Sequence, residues 1–272
     1  MLCFFDYDGT LADDFNTINK DNIEYIQRHS ANFLLATGRN LNQINDILNK
    51  NNLKIDFIGG NGSFYSLNGK INILDIIEPK IVNILIQKLV FLSVPIIIHT
   101  ITDNYTLYYG NVLKLFNIKK IANEFSRFTA GNQVTDISLI KLYIKTFFNK
   151  NSHIIYKNQI SHLKNITSIE VFFNNPDTHQ QISDIFNKFG NCTESYYTSV
   201  EFNGDASKGN AVSKILSKKN YPFSYSLGNE FNDISMFQVT NVAYKMAHSP
   251  IELPAIELPY GPQDAYLPQI FP

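Results

Sequence analysis

Leu2-Cys3-Phe4-Phe5-Asp6-Tyr7-Asp8-Gly9-Thr10 begins with four apolar residues and then presents two carboxylates one residue apart. A short apolar run with no polar alternation, closed by a turn-forming Asp-Gly pair, reads as a strand buried on both faces. That is the signature of a central parallel strand in an open α/β sheet. Such sheets collect polar groups in the loops at the carboxyl ends of their strands, so Asp6 and Asp8 are carried into a crevice.

Working outward, Asn19 to His29 reads as a helix, and Asn32 to Ala36 (NFLLA) as a second apolar strand that ends at Thr37-Gly38-Arg39. Leu41 to Asn51 places Leu41, Ile44, Ile47 and Leu48 on one helical face. Phe57-Ile58 leads into Gly59-Gly60-Asn61-Gly62, whose glycines permit positive φ. This alternation predicts an α/β fold, a doubly wound Rossmann-like parallel-sheet core.

The texture changes near Asp75. A helix is predicted over Pro79 to Leu92, strands near Pro95 to Ile101 and Tyr105 to Tyr109, and a helix near Val112 to Phe125. Ser138 to Phe148 follows, then a polar helix around Lys150 to His162, the strand Ser168 to Phe173 and the helix Thr178 to Phe189. These make an inserted mixed α/β cap domain over residues 75–199, with the core formed by residues 1–74 and 200–272. Six of the ten prolines fall between Pro250 and Pro272, so the last stretch is expected to lie extended over the core surface.

With 272 residues, 44% hydrophobic and 17% charged, the chain can bury a sizeable core. A net charge of −1 and a pI near 6.6 leave no basic excess for nucleic acid or an anionic membrane. Cys3 and Cys192 lie far apart, Asp6 and Asp8 interrupt the first apolar segment, and a reduced, cytoplasmic protein is expected. The apolar stretch Ile81 to Ile101 is punctuated by Asn83, Gln87, Lys88, Pro95 and His99, which suit a helix and a strand better than hydrocarbon.

Two loop carboxylates can divide labour, one as nucleophile and metal ligand, the other as proton donor and later base. Taken alone they also make an ordinary Asx turn. Three further signals follow in order. Thr37 offers a hydroxyl and neighbouring N–H groups to a phosphate oxygen, or caps a helix. Lys208, in Ser-Lys-Gly at a helix start, can hold Asp6 ionised, or face water. Asp233, in Gly-Asn-Glu-Phe-Asn-Asp, can offer oxygen to magnesium, or serve as a surface acid. His99 reads as a satisfied core histidine, Tyr105, Tyr108 and Tyr109 as strand or pocket residues, and Arg39 as a substrate contact or a salt-bridge partner.

DYDGT, ATGR, SKG and GNEFND together resemble the four ordered motifs of the haloacid dehalogenase superfamily. The inserted region and Asn61-Gly62 are similar to its Cof-type (IIB) branch. The resemblance implies a Mg2+-dependent phosphatase acting on a small phosphorylated metabolite such as a sugar phosphate, with a phosphomutase as the neighbouring alternative. By it, Asp6 forms an aspartyl-phosphate, Asp8 is the general acid/base, and Thr37 and Lys208 grip the phosphoryl group. Gly38, Arg39, Asn61 and Asn232 join the substrate-binding set, and the metal falls to Asp6, Asp8, Asn229 and Asp233. A cap domain would close over the site and select the leaving group. The departure is Asn229, where the family pattern has Asp; a neutral amide lowers metal affinity unless Asp233, Asn232 or Glu230 compensates. This motivates a second alternative, a catalytically weak phosphometabolite-binding protein.

Overall fold

β1 (Leu2–Phe5) is buried along its whole length. The computed structural model describes residues 1–13, 16–109, 152–173, 176–195, 199–218, 221–247, 249, 252 and 254–271. It forms two units, Met1–Asp75 with Ala206–Pro272, and Ile76–Asp205.

In the first unit β1 leads to α1 (Lys20–Arg28), β2 (Phe33–Ala36), α2 (Leu41–Lys50) and β3 (Asp56–Gly59). β4 (Phe64–Leu67) and β5 (Lys70–Ile73) then turn back antiparallel. The start of α2 is fixed by a reciprocal capping box. Asn40 Oδ1 accepts from the Gln43 N–H at 2.9 Å, and Gln43 Oε1 accepts from the Asn40 N–H at 3.1 Å. The cap is therefore Asn40, three residues beyond Thr37, and Thr37 is left for other work.

The second unit begins with α3 (Pro79–Leu89), β6 (Ile96–Thr100) and β7 (Asn104–Tyr108). β8 (Ser152–Tyr156), β9 (Ile166–Phe172), α4 (Pro176–Phe186), β10 (Asn191–Ser195) and β11 (Ser199–Gly204) complete its described part. The six strands run in the order β10-β11-β9-β6-β7-β8. Ile96, Ile98, Ile169, Val171, Val200 and Phe202 meet α3 and α4 in one apolar core. Among the described residues no helix is long and apolar enough to cross a membrane.

Two expectations are corrected here. The polar helix expected around Lys150 to His162 is instead β8, parallel to β7 with Leu107 opposite Ile155, followed by a 3-10 turn at Lys157–His162. The buried Ile155, not the polar content of the segment, decides the outcome. The chain also stays in the second unit past residue 200. β11 pairs antiparallel with β9, so the return comes at Ala206, because Val200 and Phe202 alternate into the second core. The helices expected at Val112 to Phe125 and Ser138 to Phe148 lie outside the described residues.

The first unit resumes with α5 (Lys208–Lys218), β12 (Ser224–Gly228), α6 (Ile234–Phe237), β13 (Val242–Lys245), β14 (Ile256–Glu257) and α7 (Leu267–Ile270). Its sheet runs β14-β13-β12-β1-β2-β3-β4-β5, with the first six of these parallel. The direction of winding reverses at β1, which has β2 on one side and β12 on the other. The carboxyl ends of those three strands deliver Asp6, Thr37 and Asn229, as expected of a doubly wound sheet.

The C-terminal stretch is more than a surface strap. Leu258, Tyr266, Leu267 and Phe271 are buried, and Asn22 of α1 accepts from the Leu267 N–H at 3.0 Å while its own amide donates to Asp264 O at 2.8 Å. The Tyr266 hydroxyl donates to Thr10 O at 2.9 Å, so the tail grips the loop that follows β1.

Candidate active site

After β1 the ladder runs one step further, Asp6 N–H donating to Leu227 O at 2.9 Å, and then the chain coils tightly. The N–H groups of Leu11 and Ala12 converge on Tyr7 O at 3.1 and 2.8 Å. Gly9 has φ of +76°, and a Cβ there would lie 2.4 Å from the Asn229 amide. Only glycine meets both constraints. The coil separates the two carboxylates, so they take different partners.

Asp6 is buried and accepts from Lys208 Nζ at 2.5 Å. Lys208, at the first turn of α5, is itself wholly buried and also donates to Asp233 Oδ1 at 2.7 Å. The other oxygen of Asp233 accepts from the Asn229 and Glu230 N–H groups at 2.8 and 3.0 Å. Asp233 is thus committed to holding Lys208 and the turn after β12. The Asp233 side chain, expected from the sequence to offer oxygen to magnesium, meets these donors through both of its oxygens.

Burial opposes the charge on Lys208, but Asp233 and Asp6 outweigh it and raise its pKa above the ordinary lysine value. For Asp6, burial is the larger influence and drives the carboxyl up, Asp233 adds to this, and Lys208 opposes it. Two carboxylates share one ammonium, so a second positive charge near Asp6 would be well placed. Glu230 lies close by, pushed up to about 7 by burial and by Asp233 and Asp8, against Lys208.

Asp8 projects outward, with its side chain 56% exposed. Arg39 holds it in a fork, Nε on Oδ2 at 2.9 Å and Nη2 on Oδ1 at 2.5 Å. The same guanidinium reaches Asn16 Oδ1 and lies over the Tyr7 ring, 4.9 Å from its centroid. The salt-bridge reading of Arg39 is the one the geometry adopts. Asn16 and Tyr7 carried no sequence signal, since their roles depend on where Arg39 folds back.

Thr37 is buried at the end of β2, and its hydroxyl oxygen accepts from the Arg39 N–H at 3.3 Å, leaving the hydroxyl proton free to be donated elsewhere. The Asn61 N–H donates to Thr37 O at 3.2 Å, which requires the left-handed φ of 51° at Asn61. Asn232 donates to Asn61 Oδ1 at 3.2 Å, and a Cβ on Gly38 would touch the Asn61 amide at 3.1 Å. Thr37, Gly38, Asn61 and Asn232 therefore form one polar cluster. A Cβ on Gly62 would lie 2.0 Å from Ser207 O, so this turn packs directly on the entry to α5 and thereby on Lys208.

Among the described residues no cluster of three or more His, Cys, Asp or Glu side chains could hold a metal ion. A hard cation here must draw on other oxygens, and the structure offers them. The tip of the Asn229 amide faces Asp8 O at 2.9 Å, Thr10 Oγ1 at 2.9 Å and Asp6 Oδ2 at 3.3 Å, acceptors that are satisfied when its nitrogen is the atom turned toward them and that it joins as a further oxygen donor when turned the other way. The donor set of carboxylate, carbonyl and amide oxygen fits a divalent hard cation, with the Asp8 contribution coming from its backbone.

His99, by contrast, is a satisfied core residue, bonded to Asn104 at 2.9 Å and to Glu170 at 3.2 Å. Tyr105 packs on His153, Tyr108 packs edge-on to Tyr156, and the Tyr109 hydroxyl donates to Val94 O.

A family model described as haloacid dehalogenase-like hydrolase matches residues 3–256. No curated protein matches the chain. Among solved structures, a haloacid dehalogenase-like hydrolase from B. subtilis is similar at TM-score 0.79 and 20% identity, over 100% of both chains. A Thermotoga maritima protein is similar at TM-score 0.69 and 19% identity, over 97% of this chain and 93% of its own. A haloacid dehalogenase subclass IIB sugar phosphatase is similar at TM-score 0.65 and 16% identity, over 91% and 88%. At these identities the likeness is one of fold.

Proposed function

Because the chain belongs to the haloacid dehalogenase-like hydrolase family, we propose that it is a Mg2+-dependent phosphatase acting on a small phosphomonoester, with Asp6 as nucleophile. The observation that carries this reading is the buried bridge from Lys208 to both Asp6 and Asp233, at 2.5 and 2.7 Å. A lysine is seldom buried this deeply for stability alone, and here it holds a strand-end carboxylate that has no other described cationic partner.

In the proposed reaction an Asp6 oxygen attacks phosphorus in line as the bond to the leaving oxygen breaks, giving phospho-Asp6 and an alkoxide that takes a proton from Asp8. Water then attacks phospho-Asp6, giving its proton to Asp8, and the Asp6 carboxylate is restored as inorganic phosphate leaves. For each transfer one Asp8 oxygen turns from the Arg39 fork to the reacting oxygen while Arg39 keeps the other, and so the carboxylate, in place. Lys208 and the Thr37 hydroxyl proton hold the phosphoryl oxygens throughout. Magnesium held by Asp6, the Asp8 carbonyl and Asn229 would supply charge neutralisation on the phosphoryl group.

The sugar-phosphatase relative supports sugar phosphates as the first class to screen. The unpaired cysteines support a reducing, cytoplasmic setting. The test is turnover of a panel of phosphomonoesters with Mg2+, in wild type and Asp6→Asn. Release of phosphate by the wild type and background rates in the variant are expected; full activity in the variant would overturn the mechanism. Conversion of a hexose 1-phosphate to the 6-phosphate without phosphate release would make the enzyme a mutase.

A further inference from the structure

Asn229 is clamped at its backbone, and its side-chain amide can meet its neighbours in two orientations. Its N–H donates to Asp233 Oδ2 at 2.8 Å and its carbonyl accepts from Ser249 at 2.7 Å, so the main chain there is clamped. The side-chain amide is surrounded by oxygens, Thr10 Oγ1, Asp8 O and Asp6 Oδ2 at 2.9, 2.9 and 3.3 Å. With its oxygen inward, the amide accepts from the Thr10 hydroxyl and stands beside two other acceptors. With its nitrogen inward, its two N–H groups face these three oxygens. A hydroxyl both donates and accepts, so Thr10 satisfies either orientation.

Resting on the phosphatase reading, we propose that Asn229 is a rotary stand-in for the cation. Before the ion binds, its NH2 group donates to Asp6 Oδ2 and the Asp8 carbonyl, and on binding the amide turns to present oxygen. The charge balance explains what this achieves. Asp6 and Asp233 share the single ammonium of Lys208. An aspartate at position 229 would add a third buried carboxylate facing the Asp8 carbonyl, and only the ion could neutralise it. The amide removes that repulsion and replaces it with hydrogen bonds, so the nucleophile loop is held in place with or without the metal. Affinity is exchanged for independence from the ion.

The test is thermal unfolding of the full chain in EDTA and in Mg2+, with Mg2+ titration calorimetry, for wild type, Asn229→Asp and Asn229→Ala. In EDTA both variants are expected to melt below the wild type, Asn229→Asp by about 4 °C or more, since 1 kcal/mol shifts a chain of this size by roughly 2–4 °C. Saturating Mg2+ is expected to raise Asn229→Asp by more than the wild type, and to raise Asn229→Ala least. Its Mg2+ affinity is expected to exceed the wild-type value by about tenfold or more, a factor worth about 1.4 kcal/mol. If Asn229→Asp folds only with Mg2+, that is the same result in stronger form. An Asn229→Asp protein as stable as the wild type in EDTA, or with equal Mg2+ affinity, overturns the proposal. Absence of turnover in the wild type and in Asn229→Asp would count against the phosphatase reading alone, because melting and calorimetry do not depend on catalysis.

Discussion

Arg39 engages both carboxylate oxygens of Asp8, at 2.9 and 2.5 Å, from the loop that follows β2, the strand beside β1. A planar fork fixes the direction of the carboxylate as well as its position, and a lysine cannot reproduce it. Arg39→Lys is expected to lower kcat by about tenfold, a fraction of the 10²–10⁴ that a positioned acid/base contributes, while Asp8→Asn loses most of that factor. Steady-state kinetics on the best substrate checks both. An unchanged kcat in Arg39→Lys would reduce Arg39 to a surface contact.

Lys208→Met leaves Asp6 and Asp233 buried without their shared ammonium. Breaking a buried ion pair from one side costs about 3–5 kcal/mol. Chemical denaturation should show a loss of that order, accompanied by loss of activity.

Gly62→Ala places a methyl 2.0 Å from Ser207 O, at a residue with φ of +105°. The obstacle is backbone, so it can be relieved only by moving the entry to α5. We expect a loss of about 1–3 kcal/mol, the order of a strained backbone position, together with displaced Lys208 and reduced turnover. A variant with wild-type melting temperature and kcat would show that the turn tolerates what the geometry forbids.

His99 gives the second unit a pH dependence. Burial works against its protonation, but hydrogen bonding and charge from Glu170 prevail and raise it to about 9. Its folded pKa therefore exceeds the unfolded value of about 6.5, so its stabilisation is complete below about 6.5 and is lost as pH rises through about 9. Melting temperatures from pH 6 to 9.5 should fall more steeply for the wild type than for His99→Gln. Parallel curves would dismiss the imidazolium.

Tyr266→Phe removes the donor to Thr10 O and leaves that buried carbonyl without it. A loss of about 1–3 kcal/mol is expected in urea unfolding, the usual penalty of an unsatisfied buried acceptor. No loss would mean that the ring alone anchors the tail.

The central sheet was legible because β1 and β2 are each apolar runs that stop at a polar turn, a pattern that burial on two faces imposes. Asp6 and Lys208 drew attention for a related reason, since one follows such a run and the other opens a helix. What could not be read depends on pairing across long distances. β8 looked like a polar helix until Ile155 met Leu107, and β11 looked like a return to the core until Val200 and Phe202 met the second unit's core. Likewise the Arg39 fork and the grip of Tyr266 on Thr10 are set by how distant segments meet, which local periodicity does not encode.

The contact between Thr10 and Asn229 spans 219 positions of sequence. β1 sits mid-sheet, with β2 on one side and β12 on the other. One long edge of β1 therefore stays open until β12 docks, a template for wrong pairing in the interval. The strand that carries Asp6 is thus closed only by the most distant pairing it makes.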